Sequence, residues 1–264
     1  MKKKLACFTL DFEWDYGGRL GTHLKTIAQT PRVQALADFL YTEKVPLSIF
    51  LQTSLLKEAP QSLEVLNLLG SEFHSHSHTH ALTQFKSESE LSQSLHLIRE
   101  TFSQEEVGYR APLGCLYPGD LELIQNLGYA FDSSIFPSYR PGKFNHLKAP
   151  IEPYWHECGL LELPFAVIPK IRLILGLTYM RLLGYTAMQS LMKIFSLPDV
   201  VVFYGHLTDY IPTEDLDSLP FPFRNLFRRN ADRGLEFAQL FARYLKSQGY
   251  TFVTMNELAA SVKA

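Results

Sequence analysis

The chain has 264 residues, 46% of them hydrophobic and 13% aromatic, enough apolar mass for a large buried core and too much for a disordered or collagen-like chain. Twenty-five Lys and Arg against 27 Asp and Glu give a formal net charge of −2, which argues against a nucleic-acid partner. Cys7, Cys115 and Cys158 lie far apart and in no Cys-x-x-Cys spacing, which argues against a disulfide framework and a cysteine zinc site and fits a reducing, cytoplasmic compartment.

Lys2 to Lys4 imitate a basic leader, but the apolar run behind them ends at Asp11, too short for the core of a signal peptide or a lipoprotein leader. No stretch reaches the 18 or so apolar residues of a membrane span. Leu5 to Leu10 reads as a buried strand that delivers Asp11, Glu13 and Asp15 at its end. Thr30 and Pro31 open a helix carrying Val33, Leu36, Leu40 and Tyr41, which feeds a strand from Val45 to Leu51. A helix from Ser54 to Leu69 stops at Gly70, and Ser87 to Glu90 form a capping box for a helix reaching Phe102.

A strand from Val107 to Arg110 follows, then a helix from Asp120 to Leu127 that stops at Gly128. Further strands are expected at Tyr129 to Asp132, Leu160 to Leu163, Val200 to Tyr204 and Thr251 to Thr254. Alternating strands and helices with short connections imply a parallel sheet covered by helices. Six to eight such units favour a closed or nearly closed (β/α) barrel, a single domain over residues 1–264. In that architecture ligands sit at the C-terminal ends of the strands.

Glu72 to His80 holds four of the chain's nine histidines. Two imidazoles on one metal must bring their nitrogens close, and in an extended strand four residues span about 13 Å, whereas one helical turn brings i and i+4 to about 5–6 Å. Both His74 with His78 and His76 with His80 have that spacing, and spacing does not choose between them. Asp11 and Glu13, Arg110 in Arg-Ala-Pro-Leu-Gly, and His206 each end an expected strand, so a barrel would gather them on one face. Taken singly, each has an ordinary structural reading as a helix-capping acid, a surface ion pair or a core histidine.

In sequence order these pieces resemble the NodB-type polysaccharide deacetylase family, carbohydrate esterase family 4. Thr9 to Glu13 is similar to the family's Thr-Phe-Asp-Asp motif, Gly70 to His80 to its Gly-x-Glu and His-x-x-x-His region, and Arg110 to Gly114 to its Arg-x-Pro-x-Gly. Tyr129 to Ser134 is similar to its Tyr-x-Asp-Ser-Ser, and Phe203 to His206 to its late strand ending in histidine. The resemblance implies a distorted (β/α) barrel. It also implies Asp11 as general base, Glu13, His76 and His80 as ligands of a divalent metal, zinc being the expected ion, Arg110 as the residue orienting Asp11, and His206 as general acid. Glu13 stands where the family usually has Asp, which leaves Asp15 as an alternative ligand.

A metal ion with three protein ligands keeps a position for water and polarises an amide carbonyl, while a carboxylate accepts the water's proton and an imidazolium protonates the departing amine. The expected reaction is removal of an N-acetyl group from an amino sugar, on a glycan or a lipid-linked precursor. One alternative is hydrolysis of another C–N bond, in a formamide or a cyclic ureide and with or without a metal. The other is a non-catalytic carbohydrate-binding relative. Residues 163–198 are basic and apolar without an acid, and residues 221–229 interleave Phe221, Phe223 and Phe227 with Arg224, Arg228 and Arg229, which raises contact with a membrane surface. The competing reading is a helix and loop covering the barrel with solvated basic residues.

Overall fold

The computed structural model describes residues 3–14, 30–80, 87–211, 216–217 and 219–263. Asp15 lies outside them. The first strand, β1 (Leu5–Phe12), is buried along its whole length, as a parallel strand covered on both faces must be. It lies between β10 (Val200–His206) on one side and β2 (Leu47–Leu51) on the other, with β3 (Glu72–Ser75) beyond β2 and β11 (Thr251–Phe252) against the start of β1, all parallel.

Beyond β3 the sheet thins to single bridges, Ser75 to Tyr109, Tyr109 to Asp132 and Asp132 to Glu162. The ring then returns to β10, where Ala166 N–H donates to Val202 C=O at 3.0 Å. The result is a distorted, irregular barrel. The expected strands at Val107 to Arg110 and Tyr129 to Asp132 are reduced to one bridging residue each, Tyr109 and Asp132, joined to their neighbours by backbone hydrogen bonds such as Tyr109 N–H to Phe131 C=O at 2.9 Å. Leu160 to Leu163 shrinks to β7 (Leu161–Glu162), which also pairs antiparallel with β6 (Tyr154–Trp155).

Helices cover the outside. They include α1 (Thr30–Glu43), α2 (Pro60–Asn67), α3 (Glu88–Phe102), α4 (Asp120–Asn126), α9 (Gly234–Ser247) and α10 (Met255–Lys263). The buried residues of α9, Phe237, Ala238, Phe241, Ala242 and Leu245, recur at the helical period. Phe241 meets Phe203 at 4.6 Å between ring centroids, and Phe203 meets Phe8 at 4.9 Å. The helix expected from Ser54 to Leu69 is divided into a 3-10 turn, Thr53–Leu56, and α2, with Pro60 opening α2 because it lacks the N–H an interior position needs.

The acid-free segment 163–198 is neither one helix nor a loop. It forms the hairpin of β8 (Val167–Ile168) and β9 (Leu173–Ile174), then α5 (Leu177–Leu183) and α6 (Tyr185–Phe195). Met180, Met188 and Met192 are buried in the main core. Two other antiparallel strands, β4 (Tyr139–Arg140) and β5 (Phe144–Asn145), precede them, and α7 (Leu207–Tyr210) and α8 (Phe223–Arg228) follow β10. Among the described residues no helix is long and apolar enough to cross a membrane.

Candidate active site

Register decides which side chains meet. Asp11 of β1 is paired with His206 of β10 and with Phe50 of β2, and Phe50 with His74 of β3. The bridge from Ser75 to Tyr109 sets His76 beside Arg110. The predicted residues therefore gather at the C-terminal ends of the strands, around one cleft whose lining includes Asp11, Glu13, His76, Arg110 and His206.

Glu13, His76 and His80 form a buried group whose ligand atoms all lie within 4.8 Å of one another. Glu13 Oε2 is 3.3 Å from His76 Nε2 and 2.5 Å from His80 Nε2, so the longer arm of Glu reaches both imidazoles. The choice that spacing leaves open is resolved: His76 and His80 converge, with ring centroids 5.0 Å apart. The turn that brings them together is not helical. Ser77 and His80 sit at φ 65° and 58°, left-handed positions that fold the chain back after β3.

His74 is a core histidine. Its ring packs between Phe50 and Phe131, its Nδ1 accepts from Gly108 N–H at 3.0 Å, and burial lowers its pKa against the raising influence of Glu72. A side chain at Gly108 would run into the Phe131 ring at 2.2 Å, so only glycine lets the backbone come this close. His78 meets Thr53 Oγ1 through Nδ1 at 3.0 Å and ties down the 3-10 turn.

The trio fits a cation on its hydrogen bonding. His76 Nδ1 lies 2.9 Å from Arg110 C=O, an acceptor only, so Nδ1 carries a proton and Nε2 is the atom turned toward the Glu13 carboxylate. His80 Nε2 is buried with no hydrogen-bond partner. Both Nε2 atoms close on the one oxygen, Glu13 Oε2, an arrangement that needs a proton or a cation among the three atoms, and one carboxylate with two imidazoles is a donor set suited to zinc or a similar divalent ion. Burial would raise the Glu13 pKa, but His80, His76 and His206 together hold it well below the usual carboxylate range.

Arg110 is fully enclosed. Its Nη1 donates to Asp11 Oδ1 at 2.5 Å and to Thr9 Oγ1 at 3.0 Å, and Nε and Nη2 reach Ser133 C=O and Oγ, each at 3.1 Å. The guanidinium lies over Phe50 at 3.6 Å and near Phe165 at 4.4 Å, the stacked placement a planar cation favours. Four of the five N–H donors are engaged, so Asp11 is held with Oδ2 toward His206 Nε2 at 4.0 Å.

His206 is braced from behind by residues the sequence reading did not single out. Its Nδ1 lies 3.0 Å from Asp209 Oδ2, which also accepts from Thr178 Oγ1 at 2.7 Å, while Asp209 Oδ1 accepts from Arg181 at 3.1 Å. A signal existed, because His206 and Asp209 stand at the N-cap and N3 positions of α7, a capping-box spacing. Burial would lower the His206 pKa, but the Asp209 hydrogen bond and the charges of Glu13, Asp209 and Asp11 raise it to about 9. Burial would raise Asp209, yet His206 and Arg181 bring it to about 2. An imidazolium with Nε2–H facing Asp11 and Glu13, the latter at 3.7 Å, is the form these contacts favour.

A second carboxylate and histidine trio, Asp132, His156 and Glu162, satisfies the same proximity but is already occupied with itself. Ser134 Oγ and N–H donate to the Asp132 carboxylate, Ile135 N–H donates to Glu162 Oε1 at 3.0 Å, and His156 Nε2 lies 3.1 Å from Glu162 Oε2. The two acids share a hydrogen bond, and burial first, then mutual repulsion for Asp132, raises both, Glu162 to about 7. Together they hold Ser133 and Ser134 in place, one under Arg110 and the other donating to Asp132 while accepting from Ala111 N–H at 2.8 Å.

Comparison with known proteins agrees with this fold. Residues 2–131 match the family model for polysaccharide deacetylase, a span that holds Asp11, Glu13, His76, His80 and Arg110 and stops short of His206. A Mycobacterium smegmatis structure described as a polysaccharide deacetylase is 18% identical with a TM-score of 0.64, covering 99% of this chain and 91% of that one. PuuE allantoinase is 14% identical with a TM-score of 0.67, covering 97% and 89%. A carbohydrate esterase family 4 pseudoenzyme from Bacillus anthracis is 13% identical with a TM-score of 0.57, covering 98% and 66%. No curated protein matches the sequence. At these identities the likeness is one of fold, and one fold carries several activities.

Proposed function

From the match of residues 2–131 to the polysaccharide deacetylase family model, we propose that the chain removes the N-acetyl group from an amino sugar borne on a glycan or a glycan precursor. The observation that supports this most is the meeting of the three roles amide hydrolysis needs in one cleft. These are the Glu13, His76 and His80 trio, the Asp11 carboxylate fixed by Arg110, and His206 backed by Asp209.

Glu13, His76 and His80 would hold a divalent cation, zinc being the expected ion, and that cation would supply Lewis acidity to the hydrolysis. Asp11 accepts the proton of that water as its oxygen bonds to the acyl carbon. Arg110 keeps the carboxylate aimed while this happens. His206, charged near neutral pH, gives its Nε2 proton to the amine nitrogen as the C–N bond breaks, so acetate and the free amine leave. Because both groups address substituents of one carbon, their separation of 4.0 Å suits the task. Asp209 fixes the ring orientation and favours the charged form.

Acetate release from N-acetyl amino sugars, measured on wild type, Asp11→Asn and His206→Ala, tests this reading. Turnover lost in both variants is the expected result. Turnover of allantoin or a formamide in place of acetylated sugars would shift the assignment to another C–N bond. No turnover of either class by metal-loaded protein would leave a binding protein.

Exposed Ile171, Leu183, Ile194 and Phe221, with exposed Arg224, Arg228 and Arg229, support a further reading. Segments 163–198 and 221–229 then rest on an anionic membrane surface of a cytoplasmic, peripheral enzyme. Flotation with anionic vesicles tests it, and protein that stays at the bottom of the gradient argues against it.

A further inference from the structure

The cleft over the reactive groups, about 230 Å³ in volume, has a polar floor and an apolar wall. Asp11, Glu13, His76, Arg110 and His206 make the floor. The wall includes Leu113, Leu182, Phe223, Leu226 and Phe227. Sugars are held by hydrogen-bonding groups and by the faces of aromatic rings, which the phenylalanines and tyrosines of the lining supply, but Leu113, Leu182 and Leu226 offer neither, so this part of the wall is not explained by the sugar alone.

The wall is built rather than incidental. On α8, Phe223, Leu226 and Phe227 follow the i, i+3, i+4 spacing of one helix face and line the cleft, while Arg224, Asn225 and Arg228 are exposed on the other side. No residue of α8 is fully buried, so this helix adds little to the core. It is nonetheless anchored: Arg181 of α5 donates to Phe227 C=O, and Asn230 donates back to Arg181 C=O at 2.6 Å. Arg181 is also the residue bonded to Asp209 at 3.1 Å, so the wall and the support of His206 share one buried side chain. Leu113 enters the cleft from a left-handed backbone position, φ 56°, an unfavourable conformation for a branched residue that local structure must hold in place.

We propose that the substrate is an amphiphile: an N-acyl amino sugar carrying a linear apolar chain that lies along α8 and α5 while its amide rests on the floor. This rests on the amide-hydrolysis reading above, and widens its acyl group beyond acetyl if the chain proves to be the acyl chain. The occupant is argued from continuity, since the apolar wall and the reactive floor are one cleft. The chain belongs either to the sugar's aglycone or to the acyl group itself, two sources of the same chemistry.

Isothermal titration on metal-loaded Asp11→Asn protein, in which the ligand is not consumed, separates the possibilities. The ligands are the methyl and octyl glycosides of N-acetylglucosamine and the methyl glycoside of N-octanoylglucosamine, all below their micelle concentrations. One octyl ligand is expected to bind at least about tenfold tighter than the methyl N-acetyl ligand, a gain that about two buried methylenes supply. Which one does so identifies where the chain is attached. Leu226→Asp or, on a separate helix, Leu182→Asp should remove most of that preference without changing the melting temperature by more than a few degrees, and Arg224→Ala should keep it. Equal binding of all three ligands, or a preference untouched by both wall variants, overturns the proposal. Acetate release by wild type from the methyl N-acetyl glycoside, measured alongside, reports on deacetylation separately.

Discussion

Two clusters of the same residue types stand on either side of Arg110, and they differ in what their lone pairs do. In Glu13, His76 and His80 only His76 Nδ1 is tied outward, to Arg110 C=O at 2.9 Å, and both Nε2 atoms are left on Glu13 Oε2. In Asp132, His156 and Glu162 the carboxylate oxygens are already taken, by Ser134, by Ile135 N–H and by His156. Ligand type and proximity are alike in both. What separates a candidate metal centre from a structural knot is whether donors from outside the trio already fill its carboxylates.

The comparison makes graded predictions. The largest effect is on turnover. Asp11→Asn should lower kcat by on the order of 10²–10⁴-fold, the usual worth of a positioned base, whereas Glu162→Gln, in the second cluster, should leave kcat within about tenfold when assayed on folded protein. Acetate release on matched preparations checks both. Equal losses would mean that the second cluster also takes part in chemistry.

Next is the link between the clusters. Arg110→Leu leaves the Asp11 carboxylate buried without its cation, and removing one partner of a buried pair costs about 3–5 kcal/mol. Urea unfolding should show a loss of that size, and a loss below about 1 kcal/mol would mean that Asp11 finds solvent or another partner.

A smaller effect concerns pH. Asp132 and Glu162 both have pKa values raised above their unfolded ones, Glu162 to about 7, so the folded chain keeps a proton there that the unfolded chain releases. Protons bound more by the folded state mean that stability falls as pH rises, by on the order of 1 kcal/mol per pH unit for each such proton, from the unfolded pKa up to the folded one. Asp132→Asn keeps a hydrogen-bond donor without a titrating proton. Its urea midpoint should therefore fall less than that of wild type between pH 5 and pH 7, and parallel slopes would contradict a raised Asp132 pKa.

Much of the catalytic face was legible in the sequence because strand ends carry it. Asp11, Arg110 and His206 each follow a buried segment, and a parallel barrel gathers such ends whatever lies between. The pairing of His76 with His80, as against His74 with His78, was not legible from spacing, since both pairs are four apart. The choice is made by left-handed turns at Ser77 and His80 and by His74 filling a space between Phe50 and Phe131, which are tertiary facts. Asp209 escaped notice for a similar reason, as a capping acid and a partner for an imidazolium have the same sequence signature. The reach of Glu13 to both imidazoles depends on side-chain conformation. The hairpin inside segment 163–198 has strands of only two residues each, too short for any period to show.

The contrast between the clusters is tested most directly by counting metal in untagged protein by elemental analysis, in wild type, His76→Ala, His80→Ala, Glu13→Ala and His156→Ala. One divalent ion per chain in wild type and in His156→Ala, with about none in the other three, is the predicted result. Metal retained in the His76, His80 and Glu13 variants, or lost with His156, would place the ion in the wrong cluster and contradict the account.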